Sequence, residues 1–332
     1  MLSNFLPNGW PEILRRNFSF CLLFLILAGI YYASHYPIGG SNEGGHYALA
    51  KAIYEEHRVI IDNYFEATAG VDFAYRDGHF YSDRTPGVGL LSLFPLAISD
   101  SLRFIGVLAE GTHNEDDKML MLTAPAILGA LAVVFLIKII NALGASRRSA
   151  WICGLIYATG TIHWKFSSHL YSHVFLEACL LLAVYLTLLI DRAREPNPKL
   201  ETMFGFITGC FPLFGYEGIF FWPGFLIAFF YLWYKKRIRA LSPLAILSVF
   251  LIPVAIQAWY NFIAWGAPWL SSGVFQNPEY DANAAVSTAF SNPILHGLRE
   301  LFLNFPGDTY PRGLLMMHPI LFLLPFGLLN FV

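Results

Sequence analysis

Residues 119–142 read MLMLTAPAILGALAVVFLIKIINA, and Arg147 and Arg148 follow almost at once. An apolar run of this length crosses a hydrocarbon core of about 30 Å, for which about 20 residues are needed. Basic residues collect on cytoplasmic loops, so the run is expected to be a membrane helix with its carboxyl end inside. The remainder of the chain is read outward from this span. Further apolar runs lie at residues 18–36, 149–165, 170–190, 202–218, 219–234, 241–263 and 315–332. Basic clusters at Arg192, Arg194 and Lys199, and at Lys235, Lys236, Arg237 and Arg239, fall between alternate runs and mark further cytoplasmic connections. The alternate connections, around 163–173, 216–218 and 265–312, together with 37–118, then face outward.

Composition agrees with an all-α polytopic membrane protein. Of 332 residues 56% are hydrophobic and only 13% charged, against about a quarter charged in soluble domains. A net charge of -2 carries no electrostatic footprint of nucleic-acid binding. The eight Trp and 17 Tyr suit the interfacial belts of a bilayer. Cys21, Cys153, Cys179 and Cys210 sit singly inside apolar runs, without the spacing of a metal or redox motif. Run 18–36 follows Arg15-Arg16 and ends in YYASHYP, which is no small-residue cleavage site. It is expected to be an uncleaved first helix with a cytoplasmic amino end, in a multi-pass protein of the plasma (inner) membrane.

The organisation that follows is a cytoplasmic segment 1–17, a first helix 18–36, an outer loop 37–118, a bundle of about six helices over 119–263, an outer loop 264–314 and an incomplete last helix 315–332. That last run is short and has no basic residue after it, so the chain reads as cut short at its carboxyl end. An odd number of crossings must separate 37 from 147. Residues 88–108 are interrupted by Ser99, Asp100, Ser101 and Arg103, so they are expected to form an interfacial or re-entrant helix.

The outer loop 37–118 concentrates carboxylates, among them Glu43, Asp62, Glu66, Asp72, Asp77 and Asp83. Ser41 or Asn42 is placed to cap a helix with Glu43 in its first turn. Tyr47, Ala50, Tyr54 and His57 recur at helical spacing and give that helix an amphipathic face for the membrane surface. VDFAYRDGHFYS then alternates around Asp77-Gly78, which predicts a small hairpin. The hairpin leads to Asp83-Arg84-Thr85-Pro86-Gly87, which returns to the membrane.

Glu43, beside His46 and Tyr47, has the residue type and position of a general base; a carboxylate is equally at home at a helix amino end. Arg84 has the planar fork that binds phosphate, or it snorkels to ordinary headgroups. His163, Lys165, His169 and His173 gather near two run ends, and holding an anionic ligand with Lys165 suits them better than binding a metal. Glu217, in GYEGIFFWP, is a functional candidate because ionisable groups near the membrane are costly; it can also simply face water. Asp308 and Arg312 are placed to pair with each other.

Taken in order, NEGGHYALAKAI, YRDGHFYSDRTPGVGLLSLFPLAI, LGASRRSAWICGLIYATGTIHWKFSSHLYSH, AWYNFIAWGAPW and FPGDTYPRGLLMMHPILF resemble the membrane-embedded C-type (GT-C) glycosyltransferases. The likeness is to bacterial and archaeal relatives of protein mannosyltransferases and of the lipid A aminoarabinose transferase. The resemblance implies an inverting transferase of GT-C type that takes a sugar from a polyprenyl-phosphate donor to an acceptor (protein, lipid or glycan) outside. It implies Glu43 as catalytic base, with Tyr47 packed beside it, and Arg84 on the donor phosphate; Lys165 and His173, from the reading of their own cluster, are expected to help hold that phosphate. Tyr47, His46, Asp83 and Glu217 are the expected supporting residues, and neither metal nor other cofactor is expected. The rival expectations are a multi-pass transporter or flippase, and a non-catalytic scaffold of the cell envelope.

Overall fold

The apolar runs fold into helices whose neighbours are set by small residues at the contacts. A computed structural model describes residues 12–109, 113–240, 242–275 and 277, with side chains from Asn17 onward, His113 excepted. These belong to a unit that spans Met1–Asn277; a second unit, Pro278–Val332, lies outside the described residues. With it go the expected loop over 278–314, the Asp308–Arg312 pair and the incomplete helix 315–332. Most of residues 1–17 is likewise outside.

Helices α1 (Glu12–Ala33), α5 (Thr123–Ala142), α8 (Ser172–Arg192), α9 (Pro198–Gly209) and α12 (Ser242–Trp265) each pack on the next in that order. Leu23, Leu27 and Tyr31 of α1 pack against Ala126, Ala130, Val133 and Val134 of α5. Gly205 and Gly209 put α9 against α12: a Cβ on them would lie 2.6 Å from Ile246 O and 2.3 Å from Phe250 O. Small residues four apart allow such backbone approach where lipid gives no hydrophobic drive between helices. Among the described residues, counted over continuous helical stretches, five are long and apolar enough to cross a membrane: Pro86–Phe104, Asn114–Ala142, Ser172–Arg192, Tyr216–Tyr234 and Ser242–Trp265. The molecule is thus a mostly helical, membrane-embedded protein.

Two expected spans are broken. Residues 149–165 form α6 (Arg147–Gly160) and a short α7 (His163–Ser167), because Thr161 is extended, at φ -130° and ψ 175°. Residues 202–218 form α9 and α10 (Phe211–Phe214), followed by a 3-10 turn over Tyr216–Phe221, with Pro212 and Gly215 at the breaks. α11 (Trp222–Tyr234) continues from that turn.

Between α1 and α5 the chain builds a polar platform. Helix α2 (Ser41–Glu56) is followed by a 3-10 turn over Asp62–Thr68, by strands β1 (Phe73–Arg76) and β2 (His79–Ser82), and by α3 (Pro86–Phe104) and α4 (His113–Met121). The hairpin forms where Asp77-Gly78 predicts it: Arg76 pairs with His79, and Asp77 and Gly78 both take positive φ, 53° and 86°, as a tight hairpin turn requires. Asp62 accepts from the Phe80 amide at 2.8 Å and from His79 Nδ1 at 2.8 Å, which holds the hairpin to the turn before it.

Helix α2 departs from expectation twice. Its cap is Gly40, since the two side chains expected there are used elsewhere, Ser41 on Asp72 and Asn42 on Arg84. Nor does it lie on a surface: every residue from Glu43 to Ala52 is buried, among the 3-10 turn, α3 and the hairpin. Gly44 and Gly45 make this possible, because a Cβ on Gly44 would fall 1.6 Å from Ala67 O.

Candidate functional site

The buried start of α2 supplies two adjacent residues that face different partners. Glu43 is 3% exposed; its Oε2 accepts weakly from the Gly40 amide at 3.4 Å and its Oε1 has no hydrogen-bond partner. Burial pushes its carboxyl above the usual range, opposed by the nearby His169 and by backbone amides that include Leu170. An under-partnered buried carboxylate is proton-seeking, the condition for a base working near neutral pH.

Asn42, with its amide oxygen turned inward, accepts from Arg84 Nη1 at 3.2 Å and Nη2 at 3.3 Å. Arg84 is also gripped by carboxylates, with Nη2 2.7 Å from Asp72 and Nε 3.1 Å from Asp83. Asp83 is buried, which pushes its carboxyl up to about 6 even with Arg84 beside it. The main chain here is fixed from the bundle, since Tyr260 Oη donates to Arg84 O at 3.3 Å and Ser272 Oγ donates to Asp83 O at 2.6 Å. Gly45 leaves room for Arg84, whose Cγ would lie 3.4 Å from a Cβ there. One turn along, His46 is fully buried with neither ring nitrogen partnered. Burial, then the charges of Arg84 and His173, hold its imidazole down at about 3, so it is neutral at ordinary pH.

The connection from α7 to α8 closes the other side. His169 stacks between Tyr36 and Tyr171, at 4.9 Å and 5.3 Å between ring centres. Burial raises the Tyr171 hydroxyl, and the charge of Glu43 adds to it. His173 lies flat on Phe166 at 4.5 Å.

Glu43, His46, Asp83, Arg84 and His173 are therefore brought into one neighbourhood. Tyr47 is not part of it: its hydroxyl donates to Asn114 at 3.2 Å and its ring carries Lys118 at 5.6 Å. Lys165 is exposed, and His169 instead of Lys165 is the side chain that acts electrostatically on Glu43. Glu217 is exposed, with its charge felt at His173. Asp72, counted from sequence only among the carboxylates of the outer loop, belongs to the site through Arg84 and Ser41 Oγ, the latter at 2.7 Å. A signal was present in the hairpin itself: with Phe73 paired to Ser82, Asp72 falls at the open end of the hairpin opposite Asp83, beside Arg84. His163 is withdrawn into the bundle, with Nδ1 3.0 Å from Glu177 Oε2 and Nε2 3.2 Å from Gly129 O. Among the described residues no group of three or more His, Cys, Asp or Glu is arranged to hold a metal ion.

No family model matches the sequence, and no curated protein or solved structure matches it. What the fold and site define is a helical membrane-embedded protein with a buried carboxylate, a neutral histidine and a carboxylate-held guanidinium in one platform.

Proposed function

We propose that the chain is an inverting glycosyltransferase of GT-C type, moving a sugar from a polyprenyl-phosphate donor to an acceptor hydroxyl or amine at the outer face of the plasma membrane. The observation that carries the proposal is the pairing of neighbours Asn42 and Glu43, one on a guanidinium and the other a buried, proton-seeking carboxylate. A single displacement needs both. Glu43 takes the proton from the acceptor as its oxygen or nitrogen attacks the anomeric carbon, and the bond to phosphate breaks with its electron pair. The phosphate leaves already charged, so it needs a cation more than a proton donor.

Arg84 is that cation, and Asp83 regulates its availability. With its carboxyl near 6, Asp83 is the partner that can take up a proton and yield the guanidinium to phosphate, while Asp72 and Asn42 keep the fork oriented. His46, neutral and unpartnered, offers an N–H beneath the same group.

The positive-inside reading puts this platform outside. In the same reading α3 lies along the surface, although its length would let it cross. Support comes from both of its ends. Gly87 abuts Leu213 O, and at the far end Asp100 accepts from Tyr54 of α2 at 2.7 Å.

Membranes containing the wild type or Glu43→Gln, given a panel of labelled polyprenyl-phosphate sugars, test the proposal. Transfer by the wild type and a loss of about 10²-fold or more in the variant is the expected result. Equal transfer by both removes Glu43 as base, and no transfer from any donor removes the enzyme reading.

A further inference from the structure

At the ends of α1, α5 and α8 remote from the platform lies a cavity of about 260 Å³, lined by Asn17, Phe20, Lys138, Asn141, Tyr185 and Arg192 among others. No part of the proposed transfer chemistry uses it. Two cations line it, and no aspartate or glutamate does. Lys138 stands within a span, four residues from the end of α5, where a lysine ordinarily snorkels past the helix end to water. Here it does not. Its ammonium sits 5.4 Å from the Phe20 ring centre and 5.6 Å from that of Tyr185, held between α1 and α8 by two aromatic faces. Such rings position a cation and do not neutralise it, and among the described residues no carboxylate pairs with Lys138 or Arg192. A cation without a carboxylate partner at the membrane boundary attracts anionic headgroups.

We propose that this cavity is a binding site for the phosphodiester headgroup of an anionic phospholipid. Lys138 and Arg192 hold the phosphate oxygens, Asn17 and Asn141 supply amide donors to the polar headgroup, and the acyl chains run along the apolar flanks of α1 and α8. A lipid is favoured over free phosphate because the cavity is walled by Phe20, Tyr185, Leu188 and Leu189, which accept chains and offer an inorganic ion nothing. Basic pockets between membrane helices suit such headgroups. Arg147, Arg148 and Arg192 all fall at this end of the bundle, which adds a field that attracts anionic lipid.

The test uses the full chain, purified in detergent, stripped of lipid, and titrated with phosphatidylglycerol, phosphatidylcholine or inorganic phosphate. Retained lipid is counted by native mass spectrometry, and unfolding is followed by tryptophan fluorescence. Phosphatidylglycerol should bind and raise Tm, with phosphatidylcholine and inorganic phosphate doing neither. Lys138→Met and Arg192→Gln should each weaken phosphatidylglycerol by about fivefold, and Lys138→Arg should keep it. Should Lys138→Met fail to fold, Arg192→Gln, at an exposed position, decides alone. Wild-type affinity in Arg192→Gln, or equal binding of phosphatidylcholine, overturns the proposal. A full Tm shift from inorganic phosphate overturns the lipid assignment.

Discussion

Lys51 Nζ lies 2.8 Å from Asp117 Oδ2, with both side chains 3% exposed. The pair ties α2 to α4, and it does not stand alone. Asp117 Oδ1 also accepts from Ser99 Oγ at 2.6 Å and from Arg103 Nη2 at 2.7 Å, so one carboxylate fastens three helices of the platform. Without Asp117, Lys51 would keep only Glu55, which is half exposed, and Arg103 would keep Asp100, so its loss costs part of the ~3–5 kcal/mol of a fully stranded buried charge.

Asp117→Leu should therefore lower Tm sharply, leaving Lys51 and Arg103 short of their shared anion. Adding Lys51→Met to it should recover part of the loss, because the double variant buries less unpaired charge. Thermal melts of the two proteins give the comparison, and a double variant no more stable than Asp117→Leu would refute the network's importance.

Glu43 sets the pH response of any transfer activity. As a base it works only when deprotonated, and burial raises its pKa, so kcat/KM should rise with pH through a limb above the ordinary carboxylate range. His169 acts to lower that pKa. His169→Ala should hence move the limb to still higher pH without abolishing transfer. A pH–rate profile for each protein checks both the sign and the order.

Asp83 makes stability depend on pH. Its folded value of about 6 lies above the ordinary aspartate value of 3.8, so the folded protein binds its proton more tightly than the unfolded chain does. The resulting stability is fully present below about pH 4 and is lost as pH rises to about 6, up to ~3 kcal/mol in all. Tm measured across that window should fall with pH in the wild type and lose this component in Asp83→Asn. An unchanged slope in the variant would assign the titration elsewhere.

Gly44→Ala probes the closest approach in the platform. The new methyl would meet Ala67 O at 1.6 Å, a backbone atom that cannot swing aside, so α2 and the 3-10 turn must separate. Overpacking of this kind costs about 1–3 kcal/mol or more. Gly224→Ala, where nothing lies within 4 Å, is the control and should leave Tm unchanged.

Periodicity and charge made much of this architecture legible before any coordinates. The Asp77-Gly78 turn is a local signal with a local cause, and it gave the hairpin correctly. Apolar run length found the long helices at 119–142, 170–190, 219–234 and 241–263 but not Pro86–Phe104, which is also long and apolar enough to cross, and it could not see the breaks at Thr161 and Gly215, where a few residues leave helical geometry inside otherwise greasy sequence. The amphipathic reading of α2 failed because burial on every side needs partners from four separate segments, and periodicity reports only one face. Long-range pairs were hidden for the same reason. Glu43 and Arg84 could be singled out by type and order, and the hairpin register carries Asp72 to Arg84, whereas His169 beside Glu43 exists only through folding. The GFITG stretch at 205–209 does carry a readable sign of close helix packing, two glycines four residues apart.

The hairpin is finished by distant chain. Arg76 Nη1 donates to Ala264 O at 3.0 Å across 188 residues, the Tyr75 amide donates to Phe275 O at 2.8 Å, and the Asn277 amide donates to Phe73 O at 3.1 Å. At a synthesis rate of about 5–20 residues/s, the strands that lead into Arg84 wait roughly 10–40 s for the segment that clasps them. The catalytic candidates are thus translated early and assembled late. During that interval an open strand edge and a half-built acidic platform sit unclasped at the membrane, which is where a quality-control chaperone or protease would intervene.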